Sequence, residues 1–214
     1  MPYGEMLKKL NPCGAALTQC VLNAFGTSTD MRVLDAGCGR GDTLKHLSEN
    51  SGYRLTGLEI DAAYAELARG RGSFDVVAGD IQAMPFEDGT FDAVLMECVF
   101  SLVPDPQKAA KEAGRVLPSG GIVVLSDMIS RAETDGSLDG SDVLKHLYRT
   151  GRISDFFSIS GFDFVYYEDR TRDLQRMLAQ MILDDSACAC FSEEDRMTLR
   201  RYRAGYGMFV FEKR

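Results

Sequence analysis

No stretch of this 214-residue chain approaches the ~20 consecutive apolar residues that a membrane-spanning helix needs. Its opening, MPYGEMLKKLNPCG, has no long apolar core and does not read as a signal peptide. A cytoplasmic protein is expected. Basic residues are the minority: 24 Lys and Arg stand against 32 Asp and Glu, for a net charge of -8. That deficit argues against nucleic-acid phosphate as a partner, since such binding needs a basic surface. It is compatible with a cationic ligand without selecting one. Histidine occurs only at His46 and His146, and the sequence shows no catalytic partner for either. The six cysteines, at 13, 20, 38, 98, 188 and 190, are scattered, which suits free thiols better than a disulfide framework. Cys188-Ala189-Cys190 is too short a pair to read as a zinc site and has no matching second pair. There is no internal repeat and no low-complexity tract, and nothing sets an oligomeric state.

What is present is an ordinary globular composition, 45% hydrophobic and 26% charged, at a length that suits one domain over 1–214. A helical face made by Leu17, Val21, Leu22 and Phe25 predicts a helix over 14–25. Apolar runs then alternate with helical periodicity. Strands are expected over 31–36, 53–60, 75–78, 91–96 and 122–125. Helices are expected over 42–48, after Asp61 as an N-cap, and from Asp105-Pro106 to about 117. This alternation implies a parallel α/β sheet with right-handed crossovers. Beyond Asp127 the pattern loosens. A loop is expected over 130–141, helical stretches around 142–150 and 152–159, and a strand over 162–167. A helical stripe follows at Leu174, Met177, Leu178, Met181 and Ile182. Ser192 to Asp195 resembles a capping signal for a helix to about 203, and 207–212 reads as a final strand.

The centre of the pattern is Val33-Leu34-Asp35-Ala36-Gly37-Cys38-Gly39-Arg40-Gly41. A strand ends, turns tightly on three glycines, and restarts as a helix; glycine permits the sharp bend and close backbone approach to a ligand. The nicotinamide fingerprint wants a sixth-position glycine where this chain has Asp42. A phosphate-binding Walker loop fails for want of Gly-Lys-Ser/Thr. Asp35 and Asp42 flank the turn, so a cationic ligand without phosphates fits better than a diphosphate.

These residues resemble the class I S-adenosylmethionine-dependent methyltransferases. The glycine stretch matches the family's first motif, and Gly57-Leu58-Glu59-Ile60 the acidic end of its second strand. Gly79-Asp80-Ile81 with Met84-Pro85-Phe86 matches the adenine loop. Phe91-Asp92-Ala93-Val94 and Leu117-Pro118-Ser119-Gly120-Gly121 match the fourth and fifth strand regions. The resemblance implies a Rossmann-like, seven-stranded, mostly parallel sheet in the order 3-2-1-4-5-7-6, with helices on both faces and the last strand antiparallel. It implies S-adenosylmethionine as cofactor, held by Asp35, Ala36, Gly37, Cys38, Gly39, Gly41, Glu59, Ile60, Asp80, Ile81 and Glu97. Within that set Asp35 supports the ammonium group and Glu59 accepts from both ribose hydroxyls. Asp80 accepts from the adenine amine, between the apolar faces of Ile60 and Ile81. Residues 1–26 would add a helical lead-in, with Tyr3 and the 11–18 segment folding over the cofactor. Residues 31–127 would form the cofactor core, 128–160 part of a substrate cover, and 170–204 a helical insertion.

The acceptor side is more open. No Asn/Asp-Pro-Pro-Tyr/Phe motif follows the fourth strand, so amino methylation of bases or glutamine is not expected. A small-molecule acceptor is. Glu97 stands where the small-molecule enzymes commonly carry Asn or Ser. It reads equally as a general base, a partner for a cationic substrate, or a cofactor-side contact. Asp127, at the end of the fifth strand, shares that ambiguity as a catalytic candidate. Two other readings stay open: an S-adenosylmethionine-binding module that acts through partners, and, on the cysteine count, arsenite or thiol methylation.

Overall fold

The computed structural model describes residues 30–137, 144–183 and 192–214. The helix over 14–25, the 11–18 segment, Tyr3, Cys13, Cys20, Cys188 and Cys190 lie outside them. The chain alternates β1 (Arg32–Ala36), α1 (Asp42–Asn50), β2 (Arg54–Glu59), α2 (Ala62–Arg69), β3 (Asp75–Ala78), β4 (Ala93–Glu97), α3 (Pro106–Val116) and β5 (Ile122–Ser130). It continues through β6 (Gly136–Ser137), β7 (His146–Arg149), α4 (Thr150–Ile159), β8 (Phe162–Asp169), α5 (Thr171–Leu183), α6 (Glu193–Arg201) and β9 (Gly205–Lys213). Several boundaries follow from local chemistry. The Asp61 carboxylate caps α2 by accepting from Ala63 N and Tyr64 N. Asp105 caps α3 just ahead of Pro106. Ser192 and Asp195 form a reciprocal capping box on α6.

The main sheet runs β3-β2-β1-β4-β5-β9-β8. All neighbours from β3 to β5 are parallel, and β9 lies antiparallel to both β5 and β8. With β8 and β9 counted as sixth and seventh, this is the expected 3-2-1-4-5-7-6 order, and the sheet acquires two strands beyond seven. One is β7, in the stretch expected to be helical around 142–150. It pairs parallel with the end of β5 (Ile129↔Tyr148), and β6 pairs antiparallel with it. The strand forms because β5 runs three residues past Asp127, stabilised along its other edge by β9 as far as Ile129↔Gly205. Leu147 then buries one face of β7 while His146 and Tyr148 occupy the other.

Successive strand residues point to opposite faces, and both faces are covered. On one, Leu34, Leu58, Val94, Met96, Val123, Leu125, Phe209 and Phe211 pack against α3 and α4. There Phe157 is fully buried, stacked on Phe211 at 4.2 Å and edge-on to Phe162 at 5.5 Å. On the other, Val33, Leu55, Val76, Leu95, Val124 and Met208 pack with Leu44, Leu47, Ala65, Ala68 and Leu174 of α1, α2 and α5. A sheet buried on both faces leaves its carboxyl ends as the place for a ligand. No helix among the described residues is long and apolar enough to cross a membrane.

Candidate active site

The turn between β1 and α1 is built by backbone as much as by side chains. Gly37 N and Cys38 N both donate to Leu58 O, at 2.7 and 3.0 Å, which clamps the turn to the end of β2. Gly37, Gly39 and Gly41 all have positive φ, of 89°, 54° and 80°, a region that glycine enters without penalty. Their surroundings differ. A Cβ at Gly37 would lie 2.6 Å from Val99 Cγ2, so the turn touches the loop after β4. Among the described residues a Cβ at Gly39 would meet nothing within 4 Å, so the turn opens away from them there. Gly41 closes the turn as the N-cap of α1.

Glu59 organises the next layer. Its Oε2 accepts from Gly39 N at 2.8 Å and its Oε1 from Asp61 N at 2.9 Å. Each carboxylate oxygen has a second lone-pair site, so the carboxylate is held rigidly with acceptor capacity left. Ile60 beside it is 71% exposed, unusual for a large aliphatic side chain at the end of a central strand. Asp80 is half-buried and oriented by Gln82, whose N donates to Oδ1 at 2.8 Å. Gln82 Oε1 in turn accepts from Asp105 N at 2.9 Å, tying this loop to the start of α3. Ile81 is packed into the core, so it offers less surface to a ligand than the sequence reading gave it.

Beneath the turn lies a concentration of negative charge. Asp35 is 2% exposed, and its Oδ2 has no hydrogen-bond partner among the described residues. Burial holds its carboxyl well above the usual range, reinforced by the charges of Glu97 and then Glu59. Glu97, at the end of β4, accepts a hydrogen bond from Thr43 Oγ1 in the first turn of α1. It therefore faces the side of the glycine turn. Asp42 needs a correction. It forms an ion pair with Arg71 at 2.7 Å, so its repulsion of phosphate is partly cancelled. The inhospitality to phosphate comes from Asp35, Glu59 and Glu97.

Asp127 is placed differently. It is 1% exposed and accepts from Ser101 N, Ser101 Oγ and Met128 N at 2.7–2.8 Å. Burial nevertheless pushes its pKa up to about 6. Ser101 O receives His146 N at 3.0 Å, so Asp127 ties the loop after β4 to β7. Between Glu97 and that loop Cys98 adopts φ +51°, an uncommon conformation for a non-glycine residue that clusters at functional sites. Its Sγ lies 3.0 Å from Tyr206 Oη, which donates to Ser126 Oγ. Cys38 is buried against Gly57, with its thiol pKa pushed up by burial. A reactive or metalloid-binding thiolate needs the opposite environment.

The sequence reading missed Thr43, Gln82, Val99 and Ser101. Thr43 and Val99 meet their partners only because β1 and β4 are neighbours in the sheet. Gln82, two residues after Asp80, carried a local signal: an amide within reach of the carboxylate it orients.

Residues 34–125 match the family model described as a methyltransferase domain. Over that segment the chain resembles the methyltransferase family. The chain is 33% identical over 136 residues to the 2-methyl-6-phytyl-1,4-hydroquinone methyltransferase of Synechocystis, covering 61% of this chain and 43% of that one. It is 27% identical over 161 residues to a sarcosine/dimethylglycine N-methyltransferase of Halorhodospira halochloris, covering 69% and 57%. The chain spans about half or less of the length of these and similar curated relatives, 30% in one and 57% in another. Among solved structures its fold is similar to that of geranyl diphosphate C-methyltransferase from Streptomyces coelicolor. That similarity has a TM-score of 0.77 at 18% identity over 94% of this chain and 77% of that one. The fold is also similar to that of the [4+2]-cyclase SpnF, at TM-score 0.71 and 21% identity over 92% and 80%. A geranyl diphosphate methyltransferase of similar fold, at TM-score 0.75 and 17% identity over 99% of this chain and 90% of that one, is solved in complex with S-adenosylmethionine. Residues of this chain suit such a ligand: among the described residues a buried carboxylate oxygen on Asp35 has no partner and the approach over Gly39 is open, which answers a cationic, phosphate-free ligand.

Proposed function

We propose that this domain transfers the methyl group of S-adenosylmethionine to a small-molecule acceptor. The observation that carries the reading is the acid-lined glycine turn, with Glu59 locked on Gly39 N and Asp61 N while Asp35 Oδ2 has no partner among the described residues. The bound cofactor supplies a methyl group on a sulfonium centre, an electrophile that needs no further activation. The chain's own work is then to bind, orient and exclude water, which converts a bimolecular encounter into a positioned one. Glu59 accepts from the ribose hydroxyls and Asp80 from the adenine amine, with exposed Ile60 against the ring. Asp35 and Glu97 face the cofactor's cationic end. On this reading Glu97 is a cofactor contact fixed by Thr43, in place of a general base. Asp127 positions the loop after β4 through Ser101 and does not touch the acceptor. Residues of the 128–160 segment, among them His146 and Tyr148 on β7, line the acceptor side.

The test combines calorimetry with turnover. S-adenosylmethionine should bind, and Glu59→Ala should weaken it by one or two charge-assisted hydrogen bonds, ~1.5–3 kcal/mol each. Labelled cofactor should then lose its methyl group to at least one member of a panel of small hydroxyl, amine, carbon and thiol acceptors. Absence of binding would remove the reading. Binding without transfer across the panel would replace it with a binding module that acts through partners.

A further inference from the structure

The connection between β3 and β4, residues 79–92, carries Asp80 and has no helix or strand of its own. Its main-chain polar groups need partners from elsewhere. Two side chains of α3 supply several of them. Glu112 Oε2 accepts from Met84 N at 2.8 Å, and Arg115 Nη2 donates to Met84 O at 2.8 Å. Arg115 Nη1 donates to Phe86 O, two residues further along, at 2.7 Å. The two side chains also hold each other: Arg115 Nε and Nη2 donate to Glu112 Oε1 and Oε2, both at 2.8 Å. A planar guanidinium can serve a carboxylate and two carbonyls at once, whereas a lysine ammonium has no such fork. The hydrogen bonds from Arg115 hold the Glu112 carboxyl below the usual carboxylate range, so the pair is charged at neutral pH. The further pairing of Arg115 with Asp88, at 2.9 Å, lies on the solvent side, where the Asp88 side chain is 81% exposed.

The gripped segment packs back on the residue before Asp80. A Cβ at Gly79 would lie 3.3 Å from Pro85 Cδ, and Pro85 stands between the two gripped residues. Gly79 N donates to Glu59 O at 2.9 Å, so this contact also borders the end of β2. The short turn from Asp80 is closed by Ala83 N on Asp80 O at 2.9 Å. Gln82 Nε2 donates to both Asp80 carboxylate oxygens, at 3.2 and 3.1 Å. A shift of Met84 to Phe86 therefore reaches Asp80 by two routes, through Pro85 on Gly79 and through the turn.

Resting on the cofactor reading above, we propose that Glu112 and Arg115 are positioning residues for nucleobase recognition. By holding Met84 and Phe86 they seat Pro85 on Gly79 and so fix where the Asp80 carboxylate meets the exocyclic amine of adenine. Neither side chain touches the ligand on this account.

Calorimetry with two ligands reads the effect as a nucleobase preference. S-Adenosylhomocysteine is compared with its inosine counterpart, in which a carbonyl replaces the exocyclic amine and would face the Asp80 carboxylate. The wild type should favour the adenine ligand by at least about tenfold, the loss expected for one hydrogen bond to a charged group. Arg115→Lys keeps the charge but not the fork, and the preference should fall at least about threefold, since residues joined in one network are coupled. In Asp80→Ala the preference should already be lost, and adding Arg115→Lys should change it no further. Unfolded protein lowers the binding stoichiometry for both ligands alike and leaves their affinity ratio untouched, so a merely structural role for Arg115 predicts an unchanged preference. Glu112→Gln, which keeps an acceptor for Met84 N and loses the charge, should lower the preference as well and carries the test if Arg115→Lys does not fold. An undiminished adenine preference in these variants would overturn the inference while leaving the cofactor reading intact. Equal affinity of the wild type for the two ligands would overturn it too, by removing the contact that the pair is said to position. Absence of S-adenosylhomocysteine binding to the wild type would instead defeat the reading on which it rests.

Discussion

Gly57 in β2 carries a sharp prediction because its constraint is purely steric. A Cβ there would lie 2.7 Å from Cys38 Sγ and 2.7 Å from Leu44 Cδ1, with Cys38 Cβ at 3.3 Å. Neither obstacle can swing away to solvent, since Cys38 is 8% and Leu44 0% exposed. Gly57→Ala should therefore cost about 1–3 kcal/mol by overpacking. At roughly 2–4 °C per kcal/mol for a chain of this size, the melting temperature should fall by about 4–8 °C for a central cost of ~2 kcal/mol. Cys38→Ala alone removes one heavy atom from a packed site and should cost about 1 kcal/mol. In the double variant the missing sulfur relieves one of the two short contacts, and the new methyl occupies part of the space it leaves. The double variant should then fall about 1 kcal/mol or more short of the sum of the singles, a coupling well above the ~0.3–0.5 kcal/mol scatter of independent sites. Urea denaturation of the four proteins at one pH measures the cycle. Additive costs would refute the packing account of Cys38 and reopen a chemical role for its thiol.

Two further predictions test parts of the molecule away from that contact. The pKa of about 6 at Asp127 exceeds the ordinary value of ~3.9, so its stabilising contribution is complete below about pH 4 and lost as pH rises through 6. Relative to Asp127→Asn, the wild type should lose about 1 kcal/mol of unfolding free energy between about pH 5 and pH 7.5; parallel pH profiles from denaturation would show the carboxylate titrating normally. Phe157→Ala should cost about 3–5 kcal/mol, because the ring is fully buried and stacked on Phe211; a loss under 1 kcal/mol in calorimetric melting would mean that α4 is not anchored through this contact.

The first half of the chain was legible because its local signals agree with its tertiary role. The apolar run before Asp35, the Asp61 cap and the Asp105-Pro106 start each fix a boundary within a few residues. Of the five parallel strands that result, β1, β4 and β5 are buried on both faces, as their nearly continuous apolar character requires. After Asp127 that agreement fails. His146 to Arg149 is a strand only because β5 and β9 remain paired beyond the point where the sequence pattern loosens, which leaves an edge at Ile129 and Ser130 for β7 to join. A four-residue strand whose existence depends on another strand's overrun leaves no periodic trace of its own. The site divides in the same way. Glu59 and Asp80 could be placed from motif position, since each sits at the end of a strand whose course was legible. The surroundings of Glu97 could not.

Its hydrogen bond to Thr43 spans 54 residues and joins the end of β4 to the first turn of α1. That contact, together with the burial of Asp35, supports the proposed reading of Glu97 as a cofactor-side carboxylate over an acceptor-side base. A base needs an orientation towards the acceptor and a proton affinity set by a single partner. Glu97 instead sits among carboxylates, and the charge it imposes falls on Asp35, the one of the three that is almost wholly removed from water. In so dry a place a second negative charge is tolerated only if a proton or a ligand cation answers it. On the proposed function, the residue that departs from the Asn or Ser common in the family it resembles answers what the glycine turn would hold, and not what would receive the methyl group.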